Sequence, residues 1–204
     1  TIPRGWQRTY PNLMSHEAVY GAEWYNNKPT MTKRAASHNA TLPFTRNVIG
    51  SMDYTPCAFT DSQHEHITSN GHELALTVLF ESGIQHMADR PSSFLSQNDD
   101  VKAFLSVVPT AWDETKLISG YPGNHVVMAR RSGNKWFVAG INGTDNPMQM
   151  EFDLTKLNVK GKTIKLIKDG PSQKEFAKAQ KSVIKNSAIK VPCLPSGGFV
   201  AIIE

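Results

Sequence analysis

Cysteine is scarce in these 204 residues: only Cys57 and Cys193 occur, far apart and in no metal-binding or redox spacing. A disulfide-stapled scaffold is thereby excluded. One disulfide or two buried free thiols both stay open, so cysteine does not fix the compartment. No apolar run approaches the length a membrane-spanning helix needs, and no membrane partner is expected. Internal repeats and low-complexity segments are missing too. Neither an initiator methionine nor a basic-then-apolar leader stands at Thr1, and the expectation is a processed or excised segment. Over most of the chain there is no excess of positive charge: fifteen acids face twelve bases through Asp153, and the net +4 arises from ten lysines beyond it. Lys156, Lys160, Lys162, Lys165 and Lys168 are spread along strand-like sequence, without an arginine cluster or interleaved aromatics. That pattern fits a solvated sheet face, and no nucleic-acid partner is expected.

What is present is an ordinary globular composition in two textures. Up to residue 109, short apolar stretches alternate with helical ones. Residues 35–48 read as helical despite Pro43, and 50–56 as a short strand running into a loop closed by Pro56. Asn70 as N-cap, with Glu73 at the capping-box position, opens the clearest helix, whose apolar residues continue to Met87. A further short helix is expected over 99–108, capped by Asn98 or Asp99. After Trp112 the texture becomes β. Runs at 125–129 and 135–142 flank Arg130-Arg131-Ser132-Gly133-Asn134, a hairpin signal. More strands are expected at 148–152, 163–168, 187–191 and 198–203. The predicted fold class is therefore α/β plus all-β. Residues 1–111 read as the end of a larger α/β domain such as a truncated barrel, and residues 112–204 as a small antiparallel β-sandwich.

Chemistry concentrates in Tyr10-Pro11-Asn12-Leu13-Met14-Ser15-His16-Glu17-Ala18-Val19-Tyr20-Gly21-Ala22-Glu23-Trp24. Leu13 and Met14 resemble the buried end of a strand, followed at once by His16 and two carboxylates, Glu17 and Glu23. Strand C-termini carry the active site in α/β barrels. Glutamate is a hard oxygen donor suited to Ca²⁺ and a possible general acid. Trp24 and Tyr25 offer flat faces on which sugars stack. A solvated loop would hold two glutamates equally well, and the pattern alone leaves both readings open. His64-Glu65-His66 with His72-Glu73 meets no zinc-ligand spacing and reads as loop imidazoles. Asp53 reads as a subsite residue or a hydrogen-bonded prop for the loop before Pro56.

An ordered set of motifs narrows this. Arg8-Thr9-Tyr10-Pro11-Asn12, Glu17, Gly21-Ala22-Glu23, Leu42-Pro43-Phe44-Thr45-Arg46, Met52-Asp53-Tyr54-Thr55-Pro56, Glu73-Leu74-Ala75-Leu76 and Trp112-Asp113-Glu114-Thr115 together resemble glycoside hydrolase family 97 over nearly the whole chain. The resemblance implies the last segments of a (β/α)₈ barrel over 1–111 and a C-terminal β-domain over 112–204. It implies Glu23 as general acid within or beside the Ca²⁺ shell, and Glu17 as a Ca²⁺ ligand. Asn12, His16 and Trp24 become substrate or neighbouring contacts. Inverting members of the family carry a base glutamate that would fall just upstream of Thr1, whereas Ile2-Pro3-Arg4-Gly5-Trp6 is closer to the retaining, α-galactosidase-type members.

The expected function is hydrolysis of terminal α-glycosidic bonds in an oligosaccharide or glycoside, with α-galactosidase ahead of an inverting α-glucosidase. The N-terminal remainder of the same enzyme is the expected partner, and a periplasmic or secreted location follows from the resemblance. A non-catalytic carbohydrate-binding or interaction module is the alternative. It would leave Glu17, Glu23 and the first half of the chain unexplained.

Overall fold

A computed structural model describes residues 5–61, 65–159, 161–183 and 188–204. The first half is helical: α1 (Ala22–Asn27), α2 (Pro29–Thr32), α3 (Ala35–Asn39), α4 (Arg46–Ile49), α5 (Asn70–Leu79), α6 (Pro91–Leu95) and α7 (Asp99–Leu105). The second half is antiparallel sheet: β1 (Glu114–Tyr121), β2 (His125–Ser132), β3 (Lys135–Asn142), β4 (Met148–Asp153), β5 (Thr163–Asp169), β6 (Phe176–Ser182), β7 (Ala188–Cys193) and β8 (Gly198–Ile203). Among the described residues no helix is long and apolar enough to cross a membrane.

Six strands pair in the order β1-β2-β3-β8-β5-β6, and β4-β7 forms a second sheet. β3 and β8 are apolar on both faces, which is why they read as unbroken hydrophobic runs. Val127, Ala129, Trp136, Val138, Phe199, Ala201 and Ile203 face the small sheet and pack with Met150, Phe152 and Val191. The alternate residues Val126, Met128, Phe137, Ala139, Ile141, Val200 and Ile202 face the other way, into a core shared with α5 and Tyr54. The β2–β3 hairpin turns at Gly133-Asn134, with Ser132 opposite Lys135 and Gly133 at φ +56°. Cys57 and Cys193 are free, buried thiols.

Every residue of α5 is buried. Its N-cap is Ser69, whose Oγ accepts from His72 N at 3.0 Å, and not Asn70 as the sequence suggested. Glu73 makes no capping box: its carboxylate accepts from Thr68 Oγ1 (2.6 Å) and Ala58 N (3.2 Å). Close approach to β8 requires glycine on both sides, since a Cβ on Gly71 would lie 2.5 Å from Gly198 O, and one on Gly198 would lie 2.7 Å from His72 Cα. Beside this crossing, the buried Asp169 carboxylate accepts from Ser69 Oγ (2.5 Å) and from the backbone N–H groups of Leu194 (2.9 Å) and Gly198. α5 stops at Leu79 and does not reach Met87, because the chain turns so that Glu81 O can accept from Met52 N (3.2 Å).

Among the described residues of the first half no extended strand forms, and the β-pairing there is a single parallel bridge, His16 to Met52, with α1–α4 between them. The expected helix over 35–48 is likewise broken into α3, a 3₁₀ turn at Leu42–Phe44 and α4, since Pro43 cannot continue α-helical hydrogen bonding. Met14, read as strand core, is 48% exposed, with Gly83 against its covered side.

Candidate active site

The parallel bridge at His16 delivers the chain into a turn over residues 16–18, with Ala18 at φ +42° in the left-handed region. Glu17 projects from this turn and is exposed. Three residues further on, Gly21 caps α1, and Glu23 stands in its first turn with its carboxylate folded back over Gly21. A Cβ on Gly21 would meet Glu23 Oε2 and Tyr54 O, each at 2.6 Å, so glycine is required there. Neither the Glu17 nor the Glu23 carboxylate has a hydrogen-bond or ion-pair partner among the described residues, in a molecule whose other acidic side chains are largely paired.

Glu17 and Trp24 share the wall of an open cavity of about 520 Å³ with Tyr20, His38, Leu42 and Arg46. Tyr20 meets Trp24 edge-to-face at 5.3 Å, and Lys28 Nζ lies 4.7 Å from the Trp24 ring centroid. Burial pushes the His38 pKa down, against a hydrogen bond to the Tyr20 backbone, so this imidazole is neutral near pH 7. The other expected contacts are placed differently. His16 stacks edge-on against Trp6 at 5.4 Å and gives its carbonyl to Asp53 N at 2.9 Å. Asn12 is exposed in a turn outside the cavity lining. Asp53 has both carboxylate oxygens 3.1 Å from His86 Nδ1. His66 pairs with Asp61 at 2.7 Å, His72 is wholly buried, and His64 lies outside the described residues.

Among the cavity residues given no role in the sequence are Tyr20, whose ring braces Trp24, and Arg46, whose guanidinium lies under residues 16–18. Arg46 belonged to a recognisable motif, but its targets are backbone carbonyls that no side-chain pattern reveals. For a metal, no group of three or more His, Cys, Asp or Glu able to hold one occurs among the described residues. Glu17 and Glu23 fit Ca²⁺ in donor type. Their number falls short of its usual ~6–8 oxygens, so they suit part of a shell.

Residues 111–204 match the family model described as "Glycosyl-hydrolase 97 C-terminal, oligomerisation". The chain is 40% identical over 99% of its length to a probable retaining alpha-galactosidase of Streptomyces bingchenggensis, and 33% identical over 99% to a retaining alpha-galactosidase of Bacteroides thetaiotaomicron. It spans 30% and 32% of those proteins, about a third of each. Among solved structures, a beta-arabinopyranosidase is similar with TM-score 0.89 and 32% identity, over 99% of this chain and 33% of that one. A glycoside hydrolase family 97 enzyme from Pseudoalteromonas sp. strain K8, in complex with panose, gives TM-score 0.81 and 26% identity over 98% and 33%. Residues 111–204 are thus similar to the C-terminal domain of glycoside hydrolase family 97, and the whole chain is similar to about a third of an enzyme of that family.

Proposed function

We propose that this chain carries the general acid/base and one calcium ligand of an exo-acting, retaining α-galactosidase. The observation that carries the reading is a pair of glutamates without side-chain partners among the described residues: Glu17 in the cavity wall with Tyr20 and Trp24, and Glu23 outside that lining, in the first turn of α1 over Gly21. Residues 5–111 are then the last βα units of a catalytic barrel, and the bridge from His16 to Met52 across four helices is the pairing of two successive barrel strands. The remaining barrel, the nucleophile and the rest of the calcium shell belong to the part of the enzyme that precedes this segment. Periplasmic or secreted placement goes with this reading.

In this mechanism protonated Glu23 gives its proton to the glycosidic oxygen as the bond to the anomeric carbon breaks. The resulting carboxylate then takes a proton from the water that releases the sugar. Glu17 would hold the calcium ion, with Glu23 in or beside the shell, and the bound cation would supply positive charge that draws their carboxylate oxygens in and sets their orientation. Trp24, braced by Tyr20, offers the apolar face against which a pyranose ring packs.

Protonation of the leaving group is worth about 10²–10⁴ in rate. Glu23→Gln is therefore expected to lose most turnover of alkyl α-galactosides and far less of the glycosylation step on dinitrophenyl α-galactoside. Equal loss on both, with folding and calcium content intact, overturns the assignment. Glu17→Ala is expected to weaken Ca²⁺ binding and activity together, with partial recovery in excess CaCl₂. Full wild-type activity after exhaustive chelation, verified by metal analysis, contradicts the calcium role. The likeness to a beta-arabinopyranosidase favours a second substrate reading. A β-L-arabinopyranoside is an α-D-galactopyranoside without its C6 hydroxymethyl, so the two sugars compete for one site. Comparing kcat/KM on the nitrophenyl glycosides of both, with α-glucoside as the third arm, decides between them.

A further inference from the structure

Arg46 opens α4 and is 7% exposed, yet among the described residues its guanidinium meets no carboxylate. All its contacts are backbone carbonyls. Nε donates to Ala18 O (3.2 Å) and Nη1 to Gly50 O (2.9 Å), while Nη2 faces His16 O (2.9 Å), Ser51 O (2.9 Å) and Glu17 O (3.2 Å). Burying a cation on carbonyl dipoles alone is unfavourable relative to pairing it with an anion, and burial lowers the guanidinium's pKa accordingly. The arrangement nevertheless suits the planar five-donor fork of arginine and no other side chain.

Three of the five carbonyls belong to consecutive residues centred on Glu17. Turning all three inward onto one guanidinium leaves the Glu17 side chain on the outside of the turn, where it is exposed. Ala18 holds a left-handed conformation unfavourable for a residue with a Cβ, and its carbonyl is the one tied to Nε. The other two carbonyls, of Gly50 and Ser51, lead directly into Met52, the partner of His16 in the parallel bridge.

We propose that Arg46 is a positioning residue for Glu17: its guanidinium sets the carbonyls of residues 16–18 and thereby the direction in which the Glu17 carboxylate meets a divalent cation. This rests on the reading of Glu17 as a calcium ligand. Lysine keeps the charge of arginine but offers donors from a single point, so Arg46→Lys separates charge from geometry.

The test is calorimetric titration of the metal-stripped enzyme with CaCl₂, for wild type, Glu17→Gln, Arg46→Lys and the double variant, with thermal melts in parallel. Outer-shell partners of metal ligands are typically worth about 10- to 100-fold in affinity, and that loss is expected for Arg46→Lys. In the Glu17→Gln background the same change is expected to cost little more, because its effect runs through Glu17. A strut that merely holds the fold would lower the melting temperature and leave Ca²⁺ affinity of the folded protein unchanged. If Glu17→Gln weakens binding while Arg46→Lys keeps wild-type affinity, the role of Arg46 is refuted and that of Glu17 stands. If wild type and Glu17→Gln bind Ca²⁺ equally, the calcium reading falls, and this inference with it. Should Arg46→Lys not fold, Arg46→Gln in the same cycle gives the same discrimination.

Discussion

His72 is fully buried in the first turn of α5, and its tautomer follows from its neighbours. Asn39 Oδ1 accepts from Tyr54 OH (2.5 Å) and faces Tyr25 OH at 3.4 Å, so the Asn39 amide group is the donor across 3.0 Å to His72 Nε2. That nitrogen accepts, and the ring is neutral. Burial depresses the imidazole pKa to about 3. Below pH 6.5 the unfolded chain takes up a proton that the folded chain refuses, so His72 contributes stability above pH 6.5 that is lost progressively as pH falls toward 3. Asp169 acts in the opposite sense. Burial raises its pKa despite the donors from Ser69, Leu194 and Gly198, so its contribution is present at low pH and is lost as pH rises through that raised value. We predict that the melting temperature falls between pH 6.5 and 4.5, that His72→Gln flattens this dependence, and that Asp169→Asn steepens it. A wild-type melting temperature flat across that range would contradict the account. Glu17, Glu23 and Trp24 were singled out in the sequence because their side chains form a motif. Arg46 and Ser69 were not, since the one works through backbone carbonyls and the other was masked by an adjacent Asn70 that caps equally well on propensity.

α5 is pinned at both ends by groups from the rest of the chain. At its start Ser69 both caps the helix and donates to Asp169, and at its end the buried Arg130 donates from Nη2 to Leu79 O at 3.0 Å. A cation there also opposes the negative end of the helix dipole. Ser69→Ala removes a cap and leaves a buried carboxylate short of a donor. The expected loss is about 2 kcal/mol in chemical denaturation, and a loss below about 0.5 kcal/mol would show the link to be idle. Elements were read well where burial made the sequence periodic or continuously apolar, as in β2, β3, β5 and β8. β6 was missed because Phe176–Ser182 lies at the sheet edge with most side chains exposed, leaving no apolar alternation to see. β1 was not among the expected strands, and its Leu117–Ser119 bulge breaks the alternation there. The parallel bridge of His16 with Met52 could not be read at all, because one residue pair has no period.

At the scale of the molecule, the six-stranded sheet belongs to two cores at once. The face toward β4 and β7 is closed by the C-terminal residues themselves, but the other face is closed by α5 and its surroundings. Residues 112–204 alone would therefore keep one core and uncover Met128, Phe137, Ile141, Val200 and Ile202. That fragment is expected to bind 8-anilinonaphthalene-sulfonate and to self-associate, in contrast to the chain that retains α5. A monomeric fragment without dye binding would mean that the shared face is dispensable.

The position of β8 also has a consequence in time. Gly198–Ile203 is the last of these eight strands in chain order, yet it lies between β3 and β5 and forms part of the floor beneath α5. Until it is made, β1–β2–β3 and β5–β6 have no strand between them to join their open edges, and α5 has only part of its floor, on β3. Assembly cannot follow the order of synthesis: it waits for six residues and then closes both cores together, across contacts as distant in sequence as Ser69 and Asp169. Until that moment the facing edges of β3 and β5 stay open to wrong pairing, for an interval set by how quickly translation reaches β8.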